Sequence, residues 1–195
     1  MTFLKVHQSW GKRLLAAILI FGLVAGIACG QTAGDNSKTI IEEYFKTARA
    51  SDWTGCALTV YPADIGRFKT TMVPLLTGIK DAGNPADPLL PFFEGATAWE
   101  GIFAKDSAAF FIGTMNWITS LAPQIGVMMA GTDVQFVGFV DEGKDTRHYV
   151  VHMKAQPEAT EVSTDVVSVR KSGDRWMMLM GGTINQLAGL FRRPN

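Results

Sequence analysis

The sequence has few cysteines, no excess of charge of either sign and no metal-binding pattern. Its 195 residues include two cysteines, which excludes a small scaffold built on disulfides. The 18 basic and 18 acidic residues balance, so we expect no nucleic-acid partner. No HExxH, HxH or CxxC spacing occurs, and we expect neither a metal nor a cofactor. A content of 47% hydrophobic residues predicts instead a folded domain with a substantial core.

The first 28 residues have the pattern of an export signal. The basic residues Lys5, Lys12 and Arg13 precede fifteen residues, 14–28, that carry no charge or polar side chain. A membrane-spanning helix needs about 20 apolar residues, whereas the apolar part of a signal peptide takes about 7–15. We therefore predict a signal peptide over residues 1–28 and a chain that is exported to the cell envelope or secreted.

The sequence leaves three fates open for this N-terminal segment. Gly26-Ile27-Ala28-Cys29 resembles the bacterial lipobox, in which a small residue precedes the cysteine that receives the lipid. The alternatives are ordinary signal-peptidase cleavage and an uncleaved N-terminal anchor. Either a lipid on Cys29 or an anchor makes the membrane a partner of the chain. Residues 29–37 are then predicted to be a flexible tether, and 38–195 a single domain.

Hydrophobic spacing predicts that helices come first and strands last. Apolar residues recur with the helical period after a capping pattern at Thr39 and Glu42, over 53–61, from Pro62 and after Lys105. Pro74 is expected to kink or end the third helix. After Gly131 the period changes to two and predicts four strands, 133–140, 147–154, 162–171 and 175–180. Hairpin-linked strands pair antiparallel, so the predicted fold class is α+β, with helices packed on an antiparallel sheet of four or more strands.

This layout resembles the nuclear transport factor 2-like superfamily, which includes ketosteroid isomerase and the polyketide cyclases. Two segments carry the likeness: 61–76 (YPADIGRFKTTMVPLL) is similar to the second helical segment of secreted bacterial members, and 134–180 has the family's succession of strands and turns. The resemblance implies a curved sheet whose concave face holds the helices around a cone-shaped pocket. Sheet-face dimers are common in such families. The resemblance implies no single activity, because the superfamily contains both enzymes and binding modules.

A catalytic hypothesis rests on Asp165 and Tyr149. Isomerase chemistry of the ketosteroid type needs a carboxylate base in an apolar pocket, opposite a hydrogen-bond donor. Asp165 shares a predicted strand face with Val167 and Val169, and a lone acid there is costly unless it is paired or functional. Tyr149, on the neighbouring strand, is the candidate donor. The sequence favours the alternative that Asp165 is a surface or ion-paired residue.

Methionine and aromatic residues in the C-terminal half suggest either a lipophilic pocket or an ordinary core. Methionine adapts to irregular apolar volumes and is common on binding surfaces. The candidate ligand-binding residues are Phe136, Met153, Trp176 and Met178. His148 and His152 share one strand face but lie about 13 Å apart, too far to hold one metal ion. Cys56, in an apolar helical context, is expected to be a buried side chain rather than a nucleophile.

The sequence favours a non-catalytic envelope protein that binds a small lipophilic ligand or a protein partner. The first alternative is a proton-transfer enzyme of isomerase, dehydratase or cyclase type, which requires a closed cavity around Asp165 and Tyr149. The second alternative is an assembly subunit that forms a homodimer through its sheet, which requires an exposed apolar patch there. Ligand binding requires a cavity of about 300 Å³ or more.

Overall fold

The structure, a computed structural model, describes residues 35–122, 133–154 and 162–191, and confirms the α+β fold class. The strands are β1 (Asp133–Glu142), β2 (Thr146–Lys154), β3 (Ser163–Ser172) and β4 (Arg175–Leu179). The α-helices are α1 (Ser37–Arg49), α2 (Trp53–Thr59), α3 (Pro62–Asp81), α4 (Trp99–Phe103), α5 (Ser107–Leu121) and, after the sheet, α6 (Gly181–Phe191). Cys29 and the predicted export signal lie outside the described residues.

The four strands form one sheet in the order β1-β2-β3-β4, with every neighbouring pair antiparallel. Gly143 and Gly173 supply the positive φ angles, 68° and 62°, that the two hairpin turns require. A bulge at Val137 interrupts the pairing of β1 with β2. Residue Val60 forms a bridge to Met178 and so covers part of the other edge of the sheet.

Side-chain caps mark the beginning of two helices, α2 and α5. The Asp52 carboxylate accepts the Gly55 N–H at 2.9 Å and starts α2, as the sequence predicts. The predicted capping box of Thr39 and Glu42 is wrong: α1 already begins at Ser37, because the Asp35 carboxylate accepts the Ser37 N–H at 2.9 Å. Pro74 does not end α3, which continues to Asp81. Pro74 is exposed, so water is available to the carbonyl group that its ring leaves without an N–H donor.

The helices pack against one face of the sheet, which we call the inner face. Phe68 packs edge-on against Phe111, with ring centroids 5.1 Å apart, and this aromatic cluster forms the helical part of the core. Tyr149, Val151 and Val169 are inner-face residues that complete it. Cys56 is fully buried, as the sequence predicts. Among the described helices, none combines the length and apolar composition needed to cross a membrane.

Candidate functional site

Tyr149, the candidate hydrogen-bond donor, lies in the core and its hydroxyl group already has a structural partner. Its Oη atom lies 2.6 Å from Oγ of Ser37, in a buried hydrogen bond. The Tyr149 ring packs against Phe136 and Phe139, at centroid distances of 5.3 and 5.6 Å. This hydrogen bond ties the first turn of α1 to the middle of β2.

Asp165, the candidate base, is exposed to solvent. Register places it opposite Val151, on the inner face and diagonal to Tyr149, as strand alternation predicts. Its carboxylate nevertheless lies at an exposed end of that face and accepts the Val166 N–H at 2.7 Å. The structure therefore places Asp165 and Tyr149 on the same face without enclosing them together in an apolar cavity.

Three of the four candidate ligand-binding residues lie in the core or pack against it. Trp176 and Met178 are buried core residues, and Met153 packs against the same core. Phe136 borders a small pocket between α1 and the start of β1, with a volume of about 80 Å³. The lining of this pocket is Glu42, Phe45, Arg49, Asp133, Val134 and Phe136. Its volume is far below the roughly 300 Å³ or more of a site for a lipophilic ligand.

The strongest polar constellation centres on Arg147, which the sequence analysis did not single out. Its guanidinium group forms an ion pair with Asp35 and a two-pronged ion pair with Asp141, at 2.5 and 3.2 Å. It also donates to Oγ of Ser37 at 3.1 Å and lies 4.1 Å from the ring centre of Phe139. We call Arg147, Asp35, Asp141, Ser37 and Tyr149 the Arg147 cluster. Its contacts join Asp35 and Ser37 to one end of the sheet. We call this the hairpin end, because the turns at Gly143 and Gly173 lie there.

The opposite face of the sheet, which we call the outer face, carries exposed valines. Of the five large apolar residues exposed in the described part of the chain, four are valines in or beside this sheet. Val140 is 63% exposed and Val166 is 57% exposed, while Val150, directly opposite Val166, is half-buried. Together with Val137 in the bulge, 56% exposed, these residues form what we call the valine patch.

Polar and charged residues surround the valine patch. His148 bonds to Ser168 through Nδ1 at 2.7 Å and to Glu142 through Nε2 at 2.8 Å. Arg170 donates from Nε to Thr146 Oγ1 at 3.1 Å. Arg170 lies on β3, two strands away from Glu142 on β1. No group of three or more metal-ligating side chains occurs within residues 35–122, 133–154 and 162–191. An apolar centre with a polar rim is the usual anatomy of a protein-protein interface.

Two sequence signals could have revealed the valine patch. Val150-Val151 and Val166-Val167 are doublets in strands, and a doublet places one valine on each face of the sheet. A sheet with one solvated face normally alternates apolar and polar residues, so the doublets predict apolar positions on both faces.

A scan against family models found no match to this chain, and searches of curated proteins and of solved structures found none either. The resemblance to the nuclear transport factor 2-like superfamily therefore stays a prediction.

Proposed function

We propose that this chain is a non-catalytic assembly domain, exported to the cell envelope, that binds a second copy of itself through the valine patch. The observation that carries the proposal is the exposure of Val140 and Val166 around Val150 on the outer face. Contiguous exposed apolar patches on soluble domains mark interaction surfaces. The export signal and Cys29 support the envelope location, and the superfamily resemblance supports association through the sheet.

The inner face supports the alternative functions less well. The pocket at Phe136 is too small for a lipophilic ligand, and Trp176 and Met178 are packed in the core. The proton-transfer hypothesis needs Asp165 as a base inside an apolar cavity, whereas its carboxylate is exposed. Both alternatives stay predictions.

The edges of the sheet are also less suitable for association than its outer face. Edge strands pair readily with other chains only when they are long and flat, and a bulge twists them away from such pairing. The bulge at Val137 interrupts β1, and the bridge from Val60 covers part of β4. Among residues 35–122, 133–154 and 162–191, the outer face is therefore the sheet surface that offers exposed apolar side chains to a second copy.

The test compares a substitution in the patch with a matched substitution elsewhere. We expect Val166→Asp to convert the full chain, in mild detergent, from a concentration-dependent dimer to a monomer in sedimentation velocity. Leu58→Asp is the control, because Leu58 is 67% exposed on α2, away from the sheet. The proposal fails if Val166→Asp leaves the sedimentation coefficient unchanged, or if Leu58→Asp lowers it equally.

A further inference from the structure

Building on the proposed function, we propose that the two copies meet face to face about a two-fold axis that runs parallel to the strands and over β2. In this arrangement β1 of each chain lies opposite β3 of the second copy. Glu142 of each chain then pairs with Arg170 of the other, which gives two symmetric ion pairs. Val166 of each chain likewise enters the space over Gly138 of the other.

Two arrangements of two identical outer faces keep the strands of both sheets roughly aligned, which is a common packing of sheet on sheet. A two-fold interface uses the same surface patch on both subunits, so the axis must lie in the plane between the two sheets. The axis can run along the strands or across them. These two choices place different side chains opposite one another, so the register of the sheet distinguishes them.

The charges on the outer face favour the axis along the strands. Glu142, Thr146 and Arg170 form one row across β1, β2 and β3. Rotation about an axis over β2 exchanges the two ends of that row and brings Glu142 opposite Arg170 of the second copy. An axis across the strands instead turns Glu142 towards Asp133 at the other end of β1, where two acids would repel each other.

The shape of the outer face favours the same axis. Gly138, Val150 and Val166 form the central row, so the rotation places Val166 opposite Gly138 of the second copy. Gly138 has no side chain, and a Cβ atom added there would meet nothing within 4 Å. The space over Gly138 can therefore receive an isopropyl group, while Val150 lies near the axis and meets its own copy.

A membrane attachment at the N-terminus would favour the same axis. The Arg147 cluster fixes Asp35 at the hairpin end of the sheet. The apolar run ends at Ala28, and the seven residues from there to Asp35 span at most about 25 Å. If a lipid on Cys29 or an uncleaved anchor holds the chain, this short connection favours an orientation with the hairpin end towards the membrane. An axis along the strands directs both hairpin ends to one membrane, whereas an axis across them directs the ends apart.

The size of the sheet predicts that membrane attachment assists association. In this arrangement β1, β2 and β3 overlap with the second copy, and three strands of nine or ten residues, about 4.8 Å apart, cover roughly 450 Å². A standard interface buries about 800 Å² on each partner, so we expect a weak dimer in detergent. Attachment of both chains to one membrane confines them and raises their effective concentration, which strengthens the dimer without new contacts.

A charge exchange tests the axis. We expect Glu142→Arg and Arg170→Glu, each alone, to weaken dimerisation about tenfold or more, measured by energy transfer between labelled full-length chains in lipid vesicles. The double variant should recover to within about threefold of the parent, because both pairs are restored with reversed polarity. Absence of recovery in the double variant would overturn the proposed axis.

A glycine substitution tests the shape argument independently. Gly138→Val adds apolar area to the valine patch, so non-specific apolar association predicts a stronger dimer. The proposed arrangement predicts a dimer at least about tenfold weaker, because the new side chain occupies the space that Val166 needs. Strengthening, or no change, contradicts the arrangement. Denaturant unfolding of each variant confirms that the monomer fold is kept.

These tests separate the axis from the proposed function. If Val166→Asp abolishes association but the charge exchange does not restore it, the outer face is the interface and the axis is wrong. If Val166→Asp has no effect, the proposed function itself is wrong.

Discussion

Arg147 holds the first residues of the domain against the sheet, and its replacement tests how much that attachment stabilises the fold. Arg147→Met removes the charge and keeps most of the apolar stem. The side chains of Arg147 and Asp35 are 12% and 14% exposed, so the substitution leaves a nearly buried carboxylate without its cation. Asp141 is 48% exposed and can be solvated instead.

The loss of unfolding free energy that we expect for Arg147→Met lies between the values for a buried and for an exposed ion pair. Breaking a fully buried ion pair by removing one member costs about 3–5 kcal/mol, and an exposed pair contributes less than about 1 kcal/mol. The pair with Asp35 is close to the buried limit and the pair with Asp141 close to the exposed limit. We therefore expect Arg147→Met to lower the free energy of unfolding by about 2–4 kcal/mol, which corresponds to roughly 5–15 °C in Tm.

Urea unfolding followed by tryptophan fluorescence measures this loss, because the Trp176 ring centre lies 5.5 Å from Cζ of Arg147. Lys80→Met is the control: Lys80 pairs with Glu100 at 2.6 Å, but both side chains are exposed and we expect little change. Asp35→Asn should reduce the cost of Arg147→Met, since the two effects share one interaction. An equal, small loss for both methionine variants would refute the reasoning.

Two further predictions concern the helical layer. Gly113→Ala should lower the free energy of unfolding in urea by about 1–3 kcal/mol, because the added Cβ would lie 2.6 Å from the Phe92 carbonyl oxygen. Gly66→Ala is the control and should not destabilise the fold, because a Cβ there meets nothing within 4 Å. Equal losses for the two variants would contradict the packing. Burial raises the pKa of the Cys56 thiol from its ordinary value of 9.0 to about 11, so in a Cys29→Ser background the native thiol should resist labelling at pH 8 until urea unfolds the chain. Because the folded-state pKa is the higher one, the neutral thiol stabilises the fold below about pH 9, and this contribution is lost as pH rises towards 11. Fast labelling of the native protein would contradict this.

Short-range signals predicted the layout of the fold. The change from helical to strand period after Gly131, and the turn residues around Gly143 and Gly173, locate the four strands within about two residues. Asp52 lies next to the helix that it caps, so the sequence alone indicates its role. Such signals work because they depend only on neighbours along the chain.

The Arg147 cluster and the exposure of Asp165 depend instead on distant contacts. Asp35 and Arg147 are 112 positions apart and meet only when α1 lies across the inner face. The strand pattern correctly places Asp165 on the inner face, but its exposure depends on how far the helices extend over the sheet. The sequence offers capping residues at Asp35, Asn36 and Ser37 as well as at Thr39, so propensity alone does not decide where α1 begins.

Strand propensity alone does not account for the valines of the outer face. Valine and threonine are both β-branched and both favour strands, so threonine at these positions would serve the sheet equally and keep its surface polar. The same face does use threonine outside the patch, at Thr146 and Thr164. Val150 and Val166 lie in the central row instead, beside an open glycine position at Gly138. Isolated exposed valines need no explanation. Val150 and Val166 are instead aligned beside the open position at Gly138, on the face that also carries Glu142 and Arg170, and this arrangement fits an interface that a second copy completes.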